Sequence, residues 1–308
     1  MVGSPYGGAI DCTIELNTSS LKGKTAIVTG GAKGIGSAYS LALRAAGAYV
    51  VVGDVDTTSG KAFAAQDPEH LLFVECNLLK FEDQVRLFKE AAQFSPRGKI
   101  DHVVANAGVY REVDQVFLYE EDGPVKPELS TVDVNLNSVL YTSKIAMHYF
   151  IKQNGTTPSP SQEDTCLVLV SSGAGIHDCL RMPQYCATKW AVRGLMHGLR
   201  RTAHLYGSRV NVISPWAIKT TILSEELSNL LRARGIEFAT LEDAGQCLLR
   251  LLSDPTVNGR SLFIAARKWA PKTGYLDLDL EDTEENELRK EIQHDQMRFA
   301  TVEEGLFV

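Results

Sequence analysis

Short apolar runs rich in valine, isoleucine and leucine alternate along most of the chain with longer segments of helical spacing. The apolar runs predict strands at residues 24–29, 49–52, 71–75, 100–105, 166–170, 209–213 and 261–264. The segments between them predict helices at residues 35–46, 57–65, 81–94, 129–152, 185–206 and 241–252. This alternation indicates βαβ units, which build a parallel sheet covered by helices on both faces.

The fold class that follows is α/β, a doubly wound parallel sheet (Rossmann fold) with about seven strands in a single domain. We assign residues 21–266 to this domain and residues 1–20 to an N-terminal extension, because the first twenty residues are weakly patterned. The formal net charge of −7 comes from the far end of the chain: from Asp277 onwards it is −8, and the preceding residues sum to +1. Residues 267–308 are therefore treated as an acidic C-terminal extension.

Charge and composition exclude several functional classes. The near-neutral domain offers no basic patch for nucleic acid, and no apolar run approaches the ~18 residues that a membrane-spanning helix needs. The start of the chain lacks the basic-then-apolar order of a secretory signal, so a cytoplasmic location is expected. Six irregularly spaced cysteines without a CxxC pair predict reduced thiols, and neither they nor the seven histidines have the spacing of a metal site.

A glycine-rich segment, TGGAKGIG at residues 29–36, follows the first predicted strand and opens the first predicted helix. Gly30, Gly34 and Gly36 permit a tight turn and a close approach of the backbone to a pyrophosphate. The free N–H groups and the dipole of a helix N-terminus favour a phosphate at the same place. The spacing differs from G-x-G-x-x-G, but its position directly after the first strand predicts a dinucleotide site.

The choice of dinucleotide depends on two charged residues. Asp54 lies eighteen residues after Gly36, at the carboxyl end of the second predicted strand. A carboxylate there accepts hydrogen bonds from the adenosine ribose of NAD and repels the 2′-phosphate of NADP. Lys33 favours NADP, because a cation within the glycine loop can assist that phosphate. We weight the carboxylate over one hydrated ammonium, so the predicted cofactor is NAD.

A second group of polar residues follows the strand at 166–170. Tyr185 and Lys189 are four residues apart at the start of a predicted helix, so they share one face. The ammonium is expected to lower the pKa of the Tyr185 phenol from its usual ~10, which makes it a usable general acid or base near neutral pH. A serine at the end of the strand, Ser171 or Ser172, is placed to bond a substrate oxygen.

These motifs, in this order, resemble the compact type of the short-chain dehydrogenase/reductase family over about residues 20–265. TGGAKGIG resembles the family's cofactor loop, and residues 106–108 resemble its N-A-G element. Asn135 matches the asparagine of the family's catalytic tetrad. The family's usual separation of thirteen residues before the tyrosine selects Ser172 over Ser171. The chain is most similar to the hydroxyprostaglandin-dehydrogenase-like and fungal secondary-metabolite branches.

The resemblance implies hydride transfer between NAD and a secondary alcohol, with Tyr185 as the general acid or base. Ser172 would polarise the substrate oxygen, Lys189 would hold the nicotinamide ribose, and Asn135 would keep a water-linked proton path. The residues implied in cofactor binding are Gly30, Lys33, Gly34, Ile35, Gly36, Asp54, Asn77, Leu78, Asn106, Ala107, Gly108, Tyr185, Lys189, Pro215, Ile218 and Thr220. Two residues depart from the family pattern: Trp216 replaces a glycine, and Asn77 replaces an aspartate near the adenine.

The substrate is expected to be a bulky, mostly apolar small molecule in contact with Ser172, His177, Leu180, Met182, Tyr185 and Trp216. Residues 222–238 read as a helical cover over it, although their leucines fit a core position equally well. The two long helices, 129–152 and 185–206, resemble those that family members pair across a two-fold axis, so a homodimer or homotetramer is expected.

Two other functions stay open. The first is an NADPH-dependent ketone reductase, which would use the same residues in the opposite direction. The second is a regulator that binds NAD without turnover, whose usual mark is the loss of the tyrosine or the lysine. Tyr185 and Lys189 are both present, which favours an NAD-dependent enzyme that oxidises a secondary alcohol to a ketone.

Overall fold

The computed structural model describes residues 8–111, 113–220 and 225–278, together with positions 288, 291, 292 and 295. Its strands are β1 (Thr25–Thr29), β2 (Tyr49–Asp54), β3 (Leu71–Glu75), β4 (His102–Ala105), β5 (Thr165–Val170), β6 (Ser208–Pro215), β7 (Ser261–Ile264) and β8 (Tyr275–Asp277). They form one sheet in the order β3-β2-β1-β4-β5-β6-β7-β8, in which only the last pair is antiparallel. The predicted α/β fold is confirmed, with one short strand beyond the predicted seven.

Helices cover both faces of the sheet. They are α1 (Gly34–Ala45), α2 (Thr57–Ala64), α3 (Phe81–Phe94), α4 (Ser130–Val132), α5 (Ser138–Asn154), α6 (Pro183–Leu199), α7 (Glu225–Ala233) and α8 (Leu241–Ser253). Apolar side chains of α1, α2 and α8 form one core, and those of α3, α5 and α6 form the other. The strand order reverses between β1 and β4, which opens a crevice at the carboxyl ends of these strands.

The helix predicted over residues 129–152 is present from Ser130 to Asn154, but it contains a π-helical turn. The single turn of α4 leads into a π-helical turn, Asp133–Asn137, before α5 begins. A π-turn carries one more residue than an α-turn and is frequent at functional sites. Periodicity across 129–152 did not reveal it, because the apolar positions on either side still follow helical spacing. The helix predicted over 185–206 is divided: α6 ends at Leu199, and a 3₁₀ turn follows at Ala203–Tyr206.

Residues 10–12 of the predicted N-terminal extension and β8 of the predicted C-terminal extension pack at the edge of the sheet. The Asp277 carboxylate in β8 accepts two bonds from the buried Arg260 guanidinium, at 2.8 and 2.9 Å, and a third from the backbone N–H of Ile10 at 3.1 Å. Cys12 is buried in the core beside α8. The predicted boundaries at residues 20 and 266 therefore separate segments that share one sheet edge.

No helix in the described part of the chain combines the length and the apolar character that a membrane crossing requires. Positions 288, 291, 292 and 295 in the acidic region are helical and exposed.

His102 opens β4 inside the core, far from the crevice at the strand's other end. It is 2% exposed, and neither ring nitrogen has a hydrogen-bond partner among the described residues. Burial lowers the pKa of His102 to about 4. The native protein therefore holds this histidine neutral at pH values where the unfolded chain, with a pKa near ~6.5, binds a proton.

Stability is expected to fall on acidification through this histidine. The contribution is complete above about pH 6.5 and is lost as the pH falls to about 4, a change of roughly 3 kcal/mol in the free energy of unfolding. His102→Leu should flatten the dependence by that amount, which urea denaturation at several pH values measures. Identical pH slopes in the wild-type and variant proteins would show that His102 does not set this dependence.

Candidate active site

The glycine loop joins β1 to α1 and forms the floor of the crevice. Gly30 (φ +62°) and Gly34 (φ +55°) adopt backbone conformations that favour glycine. A Cβ at Gly36 would overlap the Gly30 carbonyl oxygen and lie 2.6 Å from the Asn106 Nδ2. Lys33, the N-cap residue of α1, makes no side-chain capping bond. The start of α1 therefore needs an acceptor from elsewhere, which is the environment that a phosphate fits.

Residues 106 and 107, directly after β4, hold the glycine loop in place through hydrogen bonds. The Asn106 side-chain amide donates to the carbonyl oxygens of Thr29 (2.9 Å) and Gly30 (3.1 Å). The Thr29 hydroxyl in turn accepts from the backbone N–H groups of Asn106 (3.1 Å) and Ala107 (3.3 Å). A Cβ at Gly30 would lie only 2.8 Å from the Ala107 Cα. These contacts hold the loop against the carboxyl ends of two neighbouring strands, β1 and β4.

A cavity of about 660 Å³ extends from the glycine loop across the carboxyl ends of the strands. It is lined by all sixteen residues predicted to bind the cofactor: Gly30, Lys33, Gly34, Ile35, Gly36, Asp54, Asn77, Leu78, Asn106, Ala107, Gly108, Tyr185, Lys189, Pro215, Ile218 and Thr220. Ser172, Met182 and Trp216 also line it. The structure thus brings the two separate motif groups of the sequence to one crevice.

The end of the cavity that is predicted to hold the adenosine contains two acidic residues, Asp54 and the neighbouring Asp56. Asp54 ends β2, and its carboxylate accepts from the backbone N–H groups of Ala32 and Asp56, each at 3.1 Å. Lys33 forms an ion pair with Asp56, which raises the pKa of Lys33 and lowers the pKa of Asp56 to about 2. The cation of the glycine loop is therefore already paired with a carboxylate, whereas Asp54 lines the cavity and keeps lone pairs for further hydrogen bonds.

The other end of the cavity holds the tyrosine and the lysine. Lys189 is buried, and its ammonium donates to the Val170 carbonyl oxygen at 3.1 Å. The same nitrogen lies 5.5 Å from the centre of the Tyr185 ring. Burial lowers the pKa of Lys189 to about 8, so it still carries its charge at neutral pH.

The predicted direction of the Tyr185 pKa is wrong. Burial raises the pKa of the phenol, and a hydrogen bond with Ser172 offsets this only in part. Sequence spacing placed Lys189 on the same face, but its ammonium lies over the ring and bonds a carbonyl on β5. The protein alone therefore opposes ionisation of this phenol, and a further positive charge beside it is needed to favour the phenolate.

The structure separates the two serines. Ser171 is buried, and its hydroxyl donates to the Lys189 carbonyl oxygen at 2.7 Å, which ties β5 to α6. Ser172 is half-buried, and its hydroxyl accepts from the Ala174 N–H at 3.2 Å. Because the Ser172 hydroxyl also interacts with Tyr185, this geometry favours Ser172 over Ser171 for the predicted role on the substrate oxygen.

Asn135 lies in the π-turn, fully buried behind the cavity wall. Its side-chain oxygen accepts from the Val109 N–H at 2.7 Å, and its side-chain nitrogen donates to the Val109 carbonyl at 2.9 Å. A Cβ at Gly108 would lie 3.3 Å from the Asn135 Oδ1 and 3.4 Å from the Lys189 Nζ. A side chain at position 108 would therefore fit tightly against Asn135, and the predicted water-linked path stays a prediction.

Apolar side chains form the rest of the wall, and sequence reasoning missed most of them. The missed apolar residues are Val55, Cys76, Leu79, Val109, Tyr110, Val134, Val170, Ala174, Cys179 and Ala217. The Tyr110 ring lies edge-on to the Tyr185 ring, with the ring centres 5.8 Å apart. The sequence signal that could have identified Tyr110 as a cavity residue was its position two residues after the N-A-G element. Leu227 and Leu231 of α7 face the cavity, so the predicted cover contributes to it; residues 221–224 lie outside the described residues.

Two residues predicted to contact the substrate lie elsewhere. His177 packs edge-on against Phe263 at 5.8 Å, and Leu180 is 86% exposed. Both line a second space of about 820 Å³, here called the side cavity, which is bounded by Val113, Asp114, Leu118, His177, Asp178, Cys179, Leu180, Arg181, Met182, Pro183, Cys186 and Trp190. The prediction assumed that the whole loop between Ser172 and Tyr185 faces the cleft, but only Cys179 and Met182 border both spaces.

Asp114 is a positioning residue that the sequence did not reveal. Its carboxylate accepts from the Gln184 backbone N–H at 2.7 Å and from the Gln184 side-chain amide at 3.2 Å. Met182, the N-cap residue of α6, makes no side-chain capping bond of its own. A loop distant in the sequence thus supplies the acceptor that the first turn of α6 needs, one residue before Tyr185.

A parallel sheet with a glycine-lined helix N-terminus at its switch point, and a buried Tyr–Lys pair in the same cavity, defines a dinucleotide-dependent oxidoreductase. The family model for short chain dehydrogenase matches residues 24–230. The chain belongs to the short-chain dehydrogenase family.

Several characterised proteins are similar to this chain. The 5′-hydroxyaverantin dehydrogenase of Dothistroma septosporum is 33% identical over 83% of this chain and 88% of its own length. The 15-hydroxyprostaglandin dehydrogenase [NAD(+)] of Rattus norvegicus is 30% identical over 80% of this chain and 93% of its own length. An NADP-dependent dehydrogenase, M3, of a Phoma species is 31% identical over 84% of this chain and 79% of its own length.

The fold is also that of solved oxidoreductases. The structure of a 3-ketoacyl-(acyl-carrier-protein) reductase from Brucella melitensis, complexed with NADH, superposes with a TM-score of 0.69. It is 22% identical, and the match covers 79% of this chain and 97% of that one. At this identity the likeness supports the fold alone.

Proposed function

We propose that this protein uses NAD to oxidise a secondary alcohol to a ketone on a bulky, mostly apolar small molecule. The observation that carries the proposal is the placement of Tyr185, Ser172 and Lys189 on the wall of the cavity that the glycine loop opens. Two similar proteins, the hydroxyaverantin and hydroxyprostaglandin dehydrogenases, are named for hydroxylated substrates, which supports an alcohol.

Different residues would bind the two ends of the cofactor. The amides at the start of α1 and the glycine loop would hold the pyrophosphate, and Asp54 would hold the adenosine ribose. Lys189 would hold the ribose at the other end. When bound, the nicotinamide supplies a hydride acceptor and, in its oxidised form, a positive charge. Burial of Tyr185 raises the pKa of its phenol, so the positive charge of the nicotinamide would be needed to favour the phenolate.

Tyr185 would remove the hydroxyl proton of the alcohol while the carbon gives up its hydride. Ser172, beside the phenol, would donate a hydrogen bond to the same substrate oxygen and fix its position. The apolar walls, which include Val134, Leu227 and Ile236, exclude water and fit a large carbon skeleton. In the reverse direction Tyr185 would return the proton to the forming alkoxide.

The cofactor is NAD in this proposal because of the charges around the adenosine end. Asp54 would place a negative charge beside the 2′-phosphate of NADP, and the ion pair with Asp56 offsets the charge of Lys33. The alternative, an NADPH-dependent ketone reductase, is favoured by the similar Phoma dehydrogenase, which is named NADP-dependent. The presence of both Tyr185 and Lys189 in the cavity disfavours a regulator without turnover.

Fluorescence titration with NADH and NADPH tests the cofactor choice. NADH is expected to bind the wild-type protein at least about tenfold more tightly, and Asp54→Asn should reduce this preference because it removes the repulsion. Glu75→Gln is the matched control: Glu75 pairs with Asp54 in the sheet register, ends the next strand and is exposed. Tighter binding of NADPH by the wild-type protein would reverse the assignment in favour of the reductase.

A homodimer or homotetramer is part of the proposal. The large apolar side chains of α5 and α6 are exposed at Leu140 (42%), Tyr141 (39%) and Trp190 (51%). Exposed apolar groups on two adjacent long helices suit a helix-to-helix interface. Sedimentation analysis of the purified protein measures the state directly.

A further inference from the structure

Two of the six cysteines differ from the rest in their surroundings. Cys12, Cys76, Cys166 and Cys247 are buried, with at most 6% of each residue exposed. Cys179 and Cys186 are half-buried, and both line the side cavity. Cys179 also lines the main cavity, so this thiol lies between the two spaces.

The two half-buried cysteines are in contact. The Cys186 thiol donates to the Cys179 carbonyl oxygen at 3.7 Å. The two side chains also interact with each other: burial raises the pKa of Cys179, and the Cys186 thiol raises it further. Cys186 is in the first turn of α6, directly after Tyr185.

The segment that carries Cys179 is irregular. It lies between the 3₁₀ turn that ends at Gly175 and the start of α6 at Pro183. Leu180 is 86% exposed, and Arg181 has φ +65°, a conformation that a residue other than glycine rarely adopts. One thiol is therefore fixed on a helix, and the other sits on a segment outside regular structure.

We propose that Cys179 and Cys186 form a dithiol site that small-molecule disulfides of the glutathione type convert into an intramolecular disulfide, which fastens residues 179–182 to α6. The two thiols meet the requirements of such a site because they touch, lie on one cavity wall and are partly exposed. The other four cysteines are at most 6% exposed, and none of them lines the side cavity.

The chemistry is two successive thiol–disulfide exchanges. One cysteine thiolate attacks a sulfur of the oxidant, forms a mixed disulfide and releases one small thiol. The second cysteine thiolate attacks the protein sulfur of that mixed disulfide, which forms the Cys179–Cys186 bond and releases the second small thiol. The two cysteine protons leave with the two released thiols, so the protein is oxidised by two electrons and the small disulfide is reduced.

The bond acts on the substrate side of the cavity. Cys179 and Met182 form the part of the wall that separates the main cavity from the side cavity, and the bond would fix it in one position beside Tyr185. Residues 179–182 include none of the residues implied in cofactor binding, so cofactor binding is expected to be unchanged. The effect on turnover rests on the proposed function; formation of the bond does not.

The test is oxidation of the whole protein by glutathione disulfide at about pH 8.5, where exposed thiols ionise. Trypsin cuts between Arg181 and Met182, so the two thiols fall in separate peptides that only a disulfide can join. We expect the joined peptide in the wild-type protein and its absence in Cys179→Ser and Cys186→Ala. Because Cys166 shares the first peptide with Cys179, the Cys179→Ser variant assigns the bond.

Activity is measured on the same samples. Oxidation should lower kcat/KM of the wild-type protein at least about tenfold, with NADH affinity within about twofold, and dithiothreitol should restore it. Cys186→Ala should keep its basal turnover and resist the oxidant. No joined peptide, or a joined peptide without change in kcat/KM, overturns the proposal. A joined peptide in a protein that turns over no alcohol supports the dithiol site and overturns the proposed function instead.

Discussion

Tyr185→Phe is expected to lower kcat by about 10²- to 10⁴-fold while NADH still binds, because the substitution removes only the atom that carries the proton. The phenyl ring keeps its edge contact with Tyr110 and its position below the Lys189 ammonium. Ser172 keeps its bond from the Ala174 N–H, so the local backbone is undisturbed. Steady-state kinetics with a panel of hydroxylated polyketides, terpenoids and steroids, followed by nicotinamide absorbance, measures the effect.

Tyr110→Phe is the matched control for this experiment. It removes a hydroxyl from a ring 5.8 Å away that lines the same cavity. We expect a loss below about tenfold, because Tyr110 transfers no proton in the proposed mechanism. Full turnover by Tyr185→Phe contradicts the acid–base role, and loss of NADH binding by that variant would indicate a structural defect rather than a chemical one.

Gly36→Ala is expected to weaken NADH binding by at least about 100-fold. The added methyl group would overlap the Gly30 carbonyl oxygen and crowd the Asn106 amide, which holds the same carbonyl. The loop must then open, and the amides at the start of α1 lose their common direction towards a phosphate. Fluorescence titration measures the affinity, and thermal unfolding tests whether the fold survives.

Gly198→Ala controls for the general effect of replacing glycine by alanine. Gly198 lies near the end of α6, where an added Cβ meets no atom within 4 Å. Alanine favours the helical conformation there, so this variant should bind NADH normally and unfold no earlier than the wild-type protein. Equal NADH affinity for Gly36→Ala and Gly198→Ala would show that the glycine loop does not form the pyrophosphate site.

Much of the fold was predictable because its signals are local. Each strand from β1 to β7 is an apolar run of a few residues, and parallel strands all end at one edge of the sheet. Residues at or just after the carboxyl ends of β1, β2, β4 and β6 therefore meet in one crevice whatever conformation the loops adopt. This is why Gly36, Asp54, Asn106 and Thr220, far apart in the sequence, line one cavity.

The sequence predictions that were wrong or incomplete concern properties that depend on three-dimensional distance and on burial. His177 and Leu180 lie in a loop whose path no spacing rule determines. The pKa of Tyr185 depends on where the Lys189 ammonium points and on how much water remains, and neither follows from an interval of four residues. The π-turn around Asn135 requires one extra residue in a turn, which leaves the apolar periodicity nearly intact.

The three-residue strand β8 also affects how the protein behaves when concentrated. A parallel sheet that ended at β7 would present unpaired N–H and C=O groups to other molecules, a common route to edge-to-edge aggregation. Here β8 pairs with β7, and the Ile10 N–H bonds the Asp277 side chain at the same edge. The chain that follows is strongly acidic. Brevity of the last strand and like-charge repulsion together protect this flank of the sheet from intermolecular strand pairing.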